Sequence, residues 1–157
     1  MTIPPELLAA LAAPGQPQTL FAAIDRAAQA SPGHRLLTLN TTDGAHIVRA
    51  YSSRATEYPV GGRKTVGATG WDDLVIRGRQ PFLGADRAAI RWAFADAPLI
   101  AAMGLGAVIN IPVIYDGRTI GTMNLLDAEY RYTQADLHRL VPWAALLVPA
   151  CLAAPAL

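Results

Sequence analysis

Apolar and polar positions alternate along some stretches of this chain and recur at helical spacing along others. Residues 18–30 put Leu20, Phe21, Ile24 and Ala28 near one face of a helix, and Ser31-Pro32-Gly33 stops it. A shorter helix over residues 4–13 precedes it and ends at Pro14-Gly15. Two strands follow, 35–41 and 46–52, joined through Thr42-Asp43-Gly44-Ala45, where the Asp-Gly pair marks a hairpin. A second hairpin spans residues 106–129, with β-branched runs on both sides of Asp116-Gly117 and Pro112 inside the first run. Between the hairpins, residues 53–70 are polar and show no period, as in a long crossover. Thr69 is placed to cap a short helix over 71–77 that Gly78 ends. Pro81-Phe82-Leu83 suits a short strand, and helices are expected at 87–95 and at 98–103, the latter capped by Asp96.

The chain closes on Thr133-Gln134-Ala135-Asp136, the start of a capping box. The helix it opens carries an apolar stripe of Leu137, Leu140, Val141, Ala144, Ala145 and Val148, and Pro142 should kink it by removing a backbone donor. Hairpins flanked by terminal helices predict an α+β fold. Helices cover one face of an antiparallel sheet, and a crossover with short helices covers the other.

Strand alternation then sorts side chains by face. Leu37 and Leu39 share one face; Leu36, Thr38 and Asn40 share the other. Ile109, Ile111 and Val113 oppose Val108, Asn110 and Pro112, and Met123 and Leu125 oppose Ile120, Thr122 and Asn124. One face is large and apolar and suits the helices. The other carries Thr and Asn and would floor a cavity beneath the crossover. Apolar walls with a few hydrogen-bonding groups are what a small-ligand site needs.

Composition changes this picture little. At 157 residues the chain suits one domain, and a net charge of +1 gives no reason to expect nucleic acid or an acidic membrane as partner. All basic residues but Lys64 are Arg, a bias that genomic base composition explains. The single cysteine, Cys151, excludes an intramolecular disulfide and a multi-cysteine metal site. Residues 140–157 are uncharged, but Pro142, Pro149 and Pro155 interrupt them, so a buried helix is expected rather than a membrane span. Pro4, Pro5 and Glu6 stand where a signal peptide would be basic, and a cytoplasmic protein is expected.

Charge distribution matters more. From Arg49 to Trp92 eight basic residues face four acidic ones, leaving that segment at +4 and the remainder at −3. A lid of that sign suits a carboxylate or other anion. Tyr51, Tyr58, Trp71, Phe82 and Trp92 could supply walls, and Tyr58 and Trp71 flank Gly61-Gly62-Arg63-Lys64. The ligand-binding candidates are Thr38, Tyr58, Arg63, Trp71, Asn110, Thr122 and Asn124. No Ser/His pairing suggests a nucleophile, and Asp72-Asp73 sits where acids stabilise a helix N-terminus in any case.

The second hairpin, with Ile111-Pro112-Val113, Asp116-Gly117, Ile120-Gly121-Thr122 and Met123-Asn124-Leu125 in order, resembles the last hairpin of a GAF domain. The resemblance spans about residues 18–152, with 1–17 as a helical extension of a single domain over 1–157. It implies a GAF/PAS-like sheet with a lidded pocket and a small-molecule sensor that forms homodimers and signals through a separate protein partner. No cofactor is implied. Methionine sulfoxide reductase and bilin-binding branches need a pocket cysteine, and no cysteine precedes Cys151. His34, His46 and His138 fall outside the lid segment, which speaks against haem, and no cyclic-nucleotide signature is present. An interaction module with a vestigial pocket is the competing reading, and an enzyme on this scaffold a more distant one.

Overall fold

The computed structural model describes residues 3–67 and 69–155. Residues 1, 2, 68, 156 and 157, which include the ends of the expected extension and apolar tail and one residue of the crossover, lie outside the described residues. Helices α1 (Pro5–Ala12) and α2 (Gln18–Ala30) lead into strands β1 (Leu36–Thr42) and β2 (His46–Ser52). The crossover contains a three-residue strand, β3 (Arg63–Thr65), which the polar sequence did not reveal, and then a π-helix over Asp72–Arg77. Strand β4 (Phe82–Gly84), helices α3 (Arg87–Ala93) and α4 (Ala97–Ala102), and the hairpin β5 (Ala107–Tyr115) and β6 (Arg118–Asp127) follow. The chain ends in α5 (Gln134–Leu140), a 3-10 stretch (Val141–Leu147) and α6 (Val148–Ala153).

All six strands join one antiparallel sheet in the order β3-β2-β1-β6-β5-β4. The turn between β5 and β6 has positive φ at both Asp116 and Gly117, the mirror-image turn whose twist matches a hairpin. One face packs on the terminal helices: Leu37, Leu39, Ile109, Ile111, Val113, Met123 and Leu125 are buried there with Leu20, Ile24, Leu140 and Trp143. On the other face Leu36, Val108 and Leu126 pack with Ile90, Ile100 and Leu105 from the α3–α4 region. Beside them Ile47 packs with Trp71, Val75, Ile76 and Ala93.

Bulges break the alternation in two places. Pairing of β5 with β6 steps from Val113↔Gly121 to Ile114↔Thr119, so Ile120 is the extra residue. Ile120 therefore packs with the helix-side core rather than beside Thr122, while Thr119 Oγ1 donates to the Ile76 carbonyl at 2.7 Å on the crossover side. Ala50 plays the same part in β2, where pairing steps from Leu39↔Tyr51 to Asn40↔Arg49. Tyr51 thus lies on the helix side, edge-on to Phe21 and hydrogen-bonded to Asp25, and is not a cavity wall. Phe82 and Trp92 pair with each other, Trp92 half exposed, and neither lines the cavity described below.

Two cap predictions meet different outcomes. Thr133 and Asp136 form the reciprocal capping box of α5. Thr69 does not cap the π-helix; its hydroxyl donates to the Ala93 carbonyl at 3.0 Å. After α5, Pro142 does more than kink the helix. The three-residue turn of the 3-10 stretch rotates the buried face to Trp143, Ala144, Leu146 and Leu147 and leaves Val141 and Ala145 exposed. The run Gln134–Ala153 has the length and apolarity to cross a membrane, yet Leu137, Leu140, Trp143 and Leu147 lie in the helix-side core against the sheet.

Candidate functional site

The crossover, α3–α4 and the sheet enclose a cavity of about 450 Å³, partly open to solvent. Its floor lies on two neighbouring transverse rows of the sheet, of which Thr38, Asn40, Arg49, Asn110 and Asn124 reach the lining. In one row Asn110, Asn124 and Thr38 are direct register partners across β5, β6 and β1. In the next, Pro112, Thr122, Asn40 and Arg49 face one another across β5, β6, β1 and β2. Ile47, Trp71, Phe94, Ile100 and Leu126 supply apolar wall, and Tyr58, Lys64, Asp72 and Asp96 close the rest.

The first row is hydrogen-bonded within itself. Trp71 Nε1 donates to Asn110 Oδ1 at 2.9 Å, and Asn110 Nδ2 donates to Asn124 Oδ1 at 2.8 Å. Asn124 Nδ2 then donates to Thr38 Oγ1 at 3.0 Å and to Thr122 Oγ1 at 3.2 Å. Buried amides left without such partners would each cost about 1–3 kcal/mol, so this network holds the floor in place. In the second row Asn40 Nδ2 donates to Thr122 Oγ1 at 3.2 Å.

Arg49 ends the second row and is 9% exposed. Its guanidinium carbon lies 3.5 Å from the centre of the Tyr58 ring, and Nη1 donates to the Pro59 carbonyl at 2.6 Å. Among the described residues no carboxylate comes within ion-pair distance of it. Arg49 is among the side chains that line the cavity. Thr42 pairs with Ile47 and Asn40 with Arg49 across a four-residue loop, two residues beyond the count outward from Asp43-Gly44, so the turn signal alone does not identify this position.

The other charges on the wall are engaged. Asp96 stands at the N-cap position of α4 but makes no side-chain cap; it accepts from Tyr58 Oη at 2.6 Å and from Lys64 Nζ at 3.1 Å. Burial pushes its carboxyl upward, but the Lys64 ammonium and the Tyr58 hydrogen bond outweigh that and hold it below the usual carboxylate value. Burial, reinforced by Asp96, raises the Tyr58 phenol, which stays protonated. Asp72 Oδ2 accepts from the backbone N–H groups of Gly67 and Thr69, near 3.0 Å, and so holds the crossover from the π-helix side.

Thr38, Tyr58, Trp71, Asn110 and Asn124 therefore meet in one cavity wall. Thr122 is buried beneath the floor, hydrogen-bonded to Asn40 and Asn124, and is not on the lining. Arg63 is exposed and also off the lining, because alternation along β3 turns its neighbour Lys64 inward instead. Asp96 lies just beyond the Arg49–Trp92 segment, and its carboxylate pairs with Lys64. With Arg49 and Asp72 as its other charged side chains the cavity lining has no net charge, so the positive sign of the lid does not carry over to it. Among the described residues, no group of three or more His, Cys, Asp or Glu side chains could hold a metal ion.

The GAF domain family profile matches residues 17–147. No curated protein matches the sequence. Solved structures do: the GAF domain of a phosphoenolpyruvate-protein phosphotransferase from Coxiella burnetii is 22% identical, with 91% of this chain and 86% of that one covered and a TM-score of 0.75. The free methionine-R-sulfoxide reductase of Neisseria meningitidis, solved with its substrate, is 15% identical over 91% of this chain and 82% of that one, with a TM-score of 0.70. The GAF domain of a sensor histidine kinase from Bacillus halodurans is 7% identical over 87% of this chain and 92% of that one, also with a TM-score of 0.70. At these identities the likeness is one of fold. With the family profile covering residues 17–147, the chain belongs to the GAF domain family, whose members serve signalling proteins as small-molecule-binding sensor and regulatory domains.

Proposed function

We propose that this domain is a sensor whose cavity takes a small anionic metabolite, a carboxylate first among the candidates, against Arg49. The observation that carries this reading is a buried cation with no carboxylate partner among the described residues, facing a cavity of about 450 Å³. A carboxylate can meet the guanidinium in a charge-assisted hydrogen bond while apolar wall takes the rest of the molecule. A vestigial pocket would have been filled by side chains, so the open volume supports a ligand site over a pure interaction module. Bound ligand would tighten the 53–70 crossover, which Asp96 and Asp72 already hold, and so change the surface that a protein partner meets.

The solved reductase of this fold bears on whether the chain is an enzyme. Here the one cysteine, Cys151, is in α6, and its Sγ lies 2.6 Å from where a Cβ on Gly121 would stand, on the helix side of the sheet. Burial pushes that thiol up to about 11. A thiol protonated and placed across the sheet from the cavity supports binding without thiol chemistry. Leu8 on α1 and Leu152 on α6 are exposed apolar residues suited to a homodimer contact in the cytoplasm.

Thermal unfolding with a panel of small carboxylates and their neutral amides tests the reading. Stabilisation by one or more acids, lost in Arg49→Gln, is expected. Stabilisation by no acid, or equal stabilisation by acids and amides, overturns it.

A further inference from the structure

We infer that Trp71 sets the direction of the floor network, so that Thr38 offers a proton to the cavity and selects an acid carrying a second, proton-free acceptor. This rests on the reading of the cavity as an anion site and adds the ligand's second recognition point.

Trp71 is the one member of the network whose role is fixed by chemistry. An indole N–H can donate and cannot accept. Trp71 Nε1, 2.9 Å from the Asn110 amide, therefore requires the oxygen of that amide to face it. The Asn110 nitrogen must then face Asn124, which can receive it only on oxygen, at 2.8 Å. The Asn124 nitrogen is left facing Thr38 Oγ1 at 3.0 Å. Each amide inherits its orientation from the one before, and the hydroxyl of Thr38 ends as an acceptor within the network. Its own proton has no acceptor among the described residues, and Thr38 lines the cavity. The relay thus delivers a donor there.

Position sets the rest. Thr38 and Asn40 point to the same face two residues apart on β1, and Arg49 is the register partner of Asn40. The two donors come from adjacent rows of the sheet and from neighbouring strands, the rows being about 7 Å apart from the rise of roughly 3.3 Å per strand residue. A carboxylate meets Arg49, and a carbonyl, a second carboxylate or an aromatic ring nitrogen meets Thr38. A group that only donates would confront the Thr38 proton with another proton. All groups in the relay are neutral, so the selection works by proton position rather than by net charge.

A matched pair of probes isolates this point: pyridine-4-carboxylate, whose ring nitrogen only accepts, and pyrrole-3-carboxylate, equally charged, whose ring nitrogen only donates. Calorimetric titration of the whole protein is expected to favour the pyridine acid by about tenfold, one hydrogen bond made against one opposed. Asn110→Asp accepts from Trp71 but has no N–H to pass on, so Asn124 must turn over and the preference should reverse. Trp71→Phe removes the fixed donor and should bring the ratio towards one. Thr38→Val, which keeps the volume and drops the hydroxyl, should do the same and stands in if either of the others fails to fold. Equal binding of the two acids by the unaltered protein, or an unchanged preference in Asn110→Asp or Thr38→Val, overturns the relay and leaves the anion site standing. Binding of neither acid, nor of any other small carboxylate, removes the anion reading and this inference with it.

Discussion

The phenol of Tyr58, in the crossover, donates to the carboxylate of Asp96, at the start of α4, over 2.6 Å. Lys64 reaches the other oxygen of the same carboxylate at 3.1 Å, so one acid on the cavity wall gathers two groups from the crossover. Asp96→Asn keeps the shape but weakens both contacts, and a loss of about 1–2 kcal/mol is expected for a partly buried, charge-assisted cluster. Urea unfolding measures the loss, and limited proteolysis should show faster cleavage within residues 53–70.

The same carboxylate gives a pH dependence of known sign. Its value in the folded protein lies below the ordinary 3.8, so its stabilisation is complete above that pH and is lost as pH falls through the lowered folded value. Asp25, held low against burial by His34 and Tyr51, acts in the same direction. Asp96→Asn should therefore flatten part, and not all, of the fall in stability below pH 3.8, read from denaturant midpoints across the acid range.

Gly62 separates the site from the fold. A Cβ there would collide with Arg49 Nη1, the far end of a flexible side chain, and the backbone is not in the left-handed region. Gly62→Ala should displace the guanidinium and cost carboxylate affinity about tenfold or more. Stability should change by less than about 1 kcal/mol. Titration and thermal unfolding of the same preparation check the two halves.

Gly121 is the opposite case. Its Cβ would stand 2.5 Å from the Asn40 carbonyl oxygen, which is backbone in the neighbouring strand, and 2.6 Å from Cys151 Sγ. Gly121→Ala should destabilise by roughly 1–3 kcal/mol through overpacking. Adding Cys151→Ala should recover only part of it, because the strand cannot retreat as a thiol can. Denaturant unfolding of the single and double variants decides.

Loss of the capping box is a smaller, cleaner change. Thr133→Ala removes the acceptor for the Asp136 N–H and should cost about 1 kcal/mol. For a domain of this size that lowers the melting temperature by about 2–4 °C, measurable by calorimetry.

Regular local patterns were legible in the sequence. Alternation placed Leu37, Ile109, Met123 and Leu125 on the helix side and Thr38, Asn110 and Asn124 on the other, as found. What escaped was whatever a long-range contact decides. Bulges at Ala50 and Ile120 insert one residue and shift the faces of Tyr51 and Ile120, with no compositional mark. Strand β3 exists because β2 offers it an edge, which selects Lys64 over Arg63 for the cavity. Asp96 reads as a helix cap because that role is local, while its actual partners lie 38 and 32 residues away. The floor asparagines were visible as polar side chains; that they bond one another, and point their chemistry through Thr38, required their register.

The sheet is one residue thick where the cavity meets the core. Thr38 faces the cavity, while Leu37 and Leu39 on either side of it are held by the helix-side core. Asn124 stands likewise between Met123 and Leu125. A molecule that draws the floor upward acts on strands whose other side chains are held in the helix-side core. The floor and the bed of the C-terminal helices are two sides of one plank, and lifting one side turns the other.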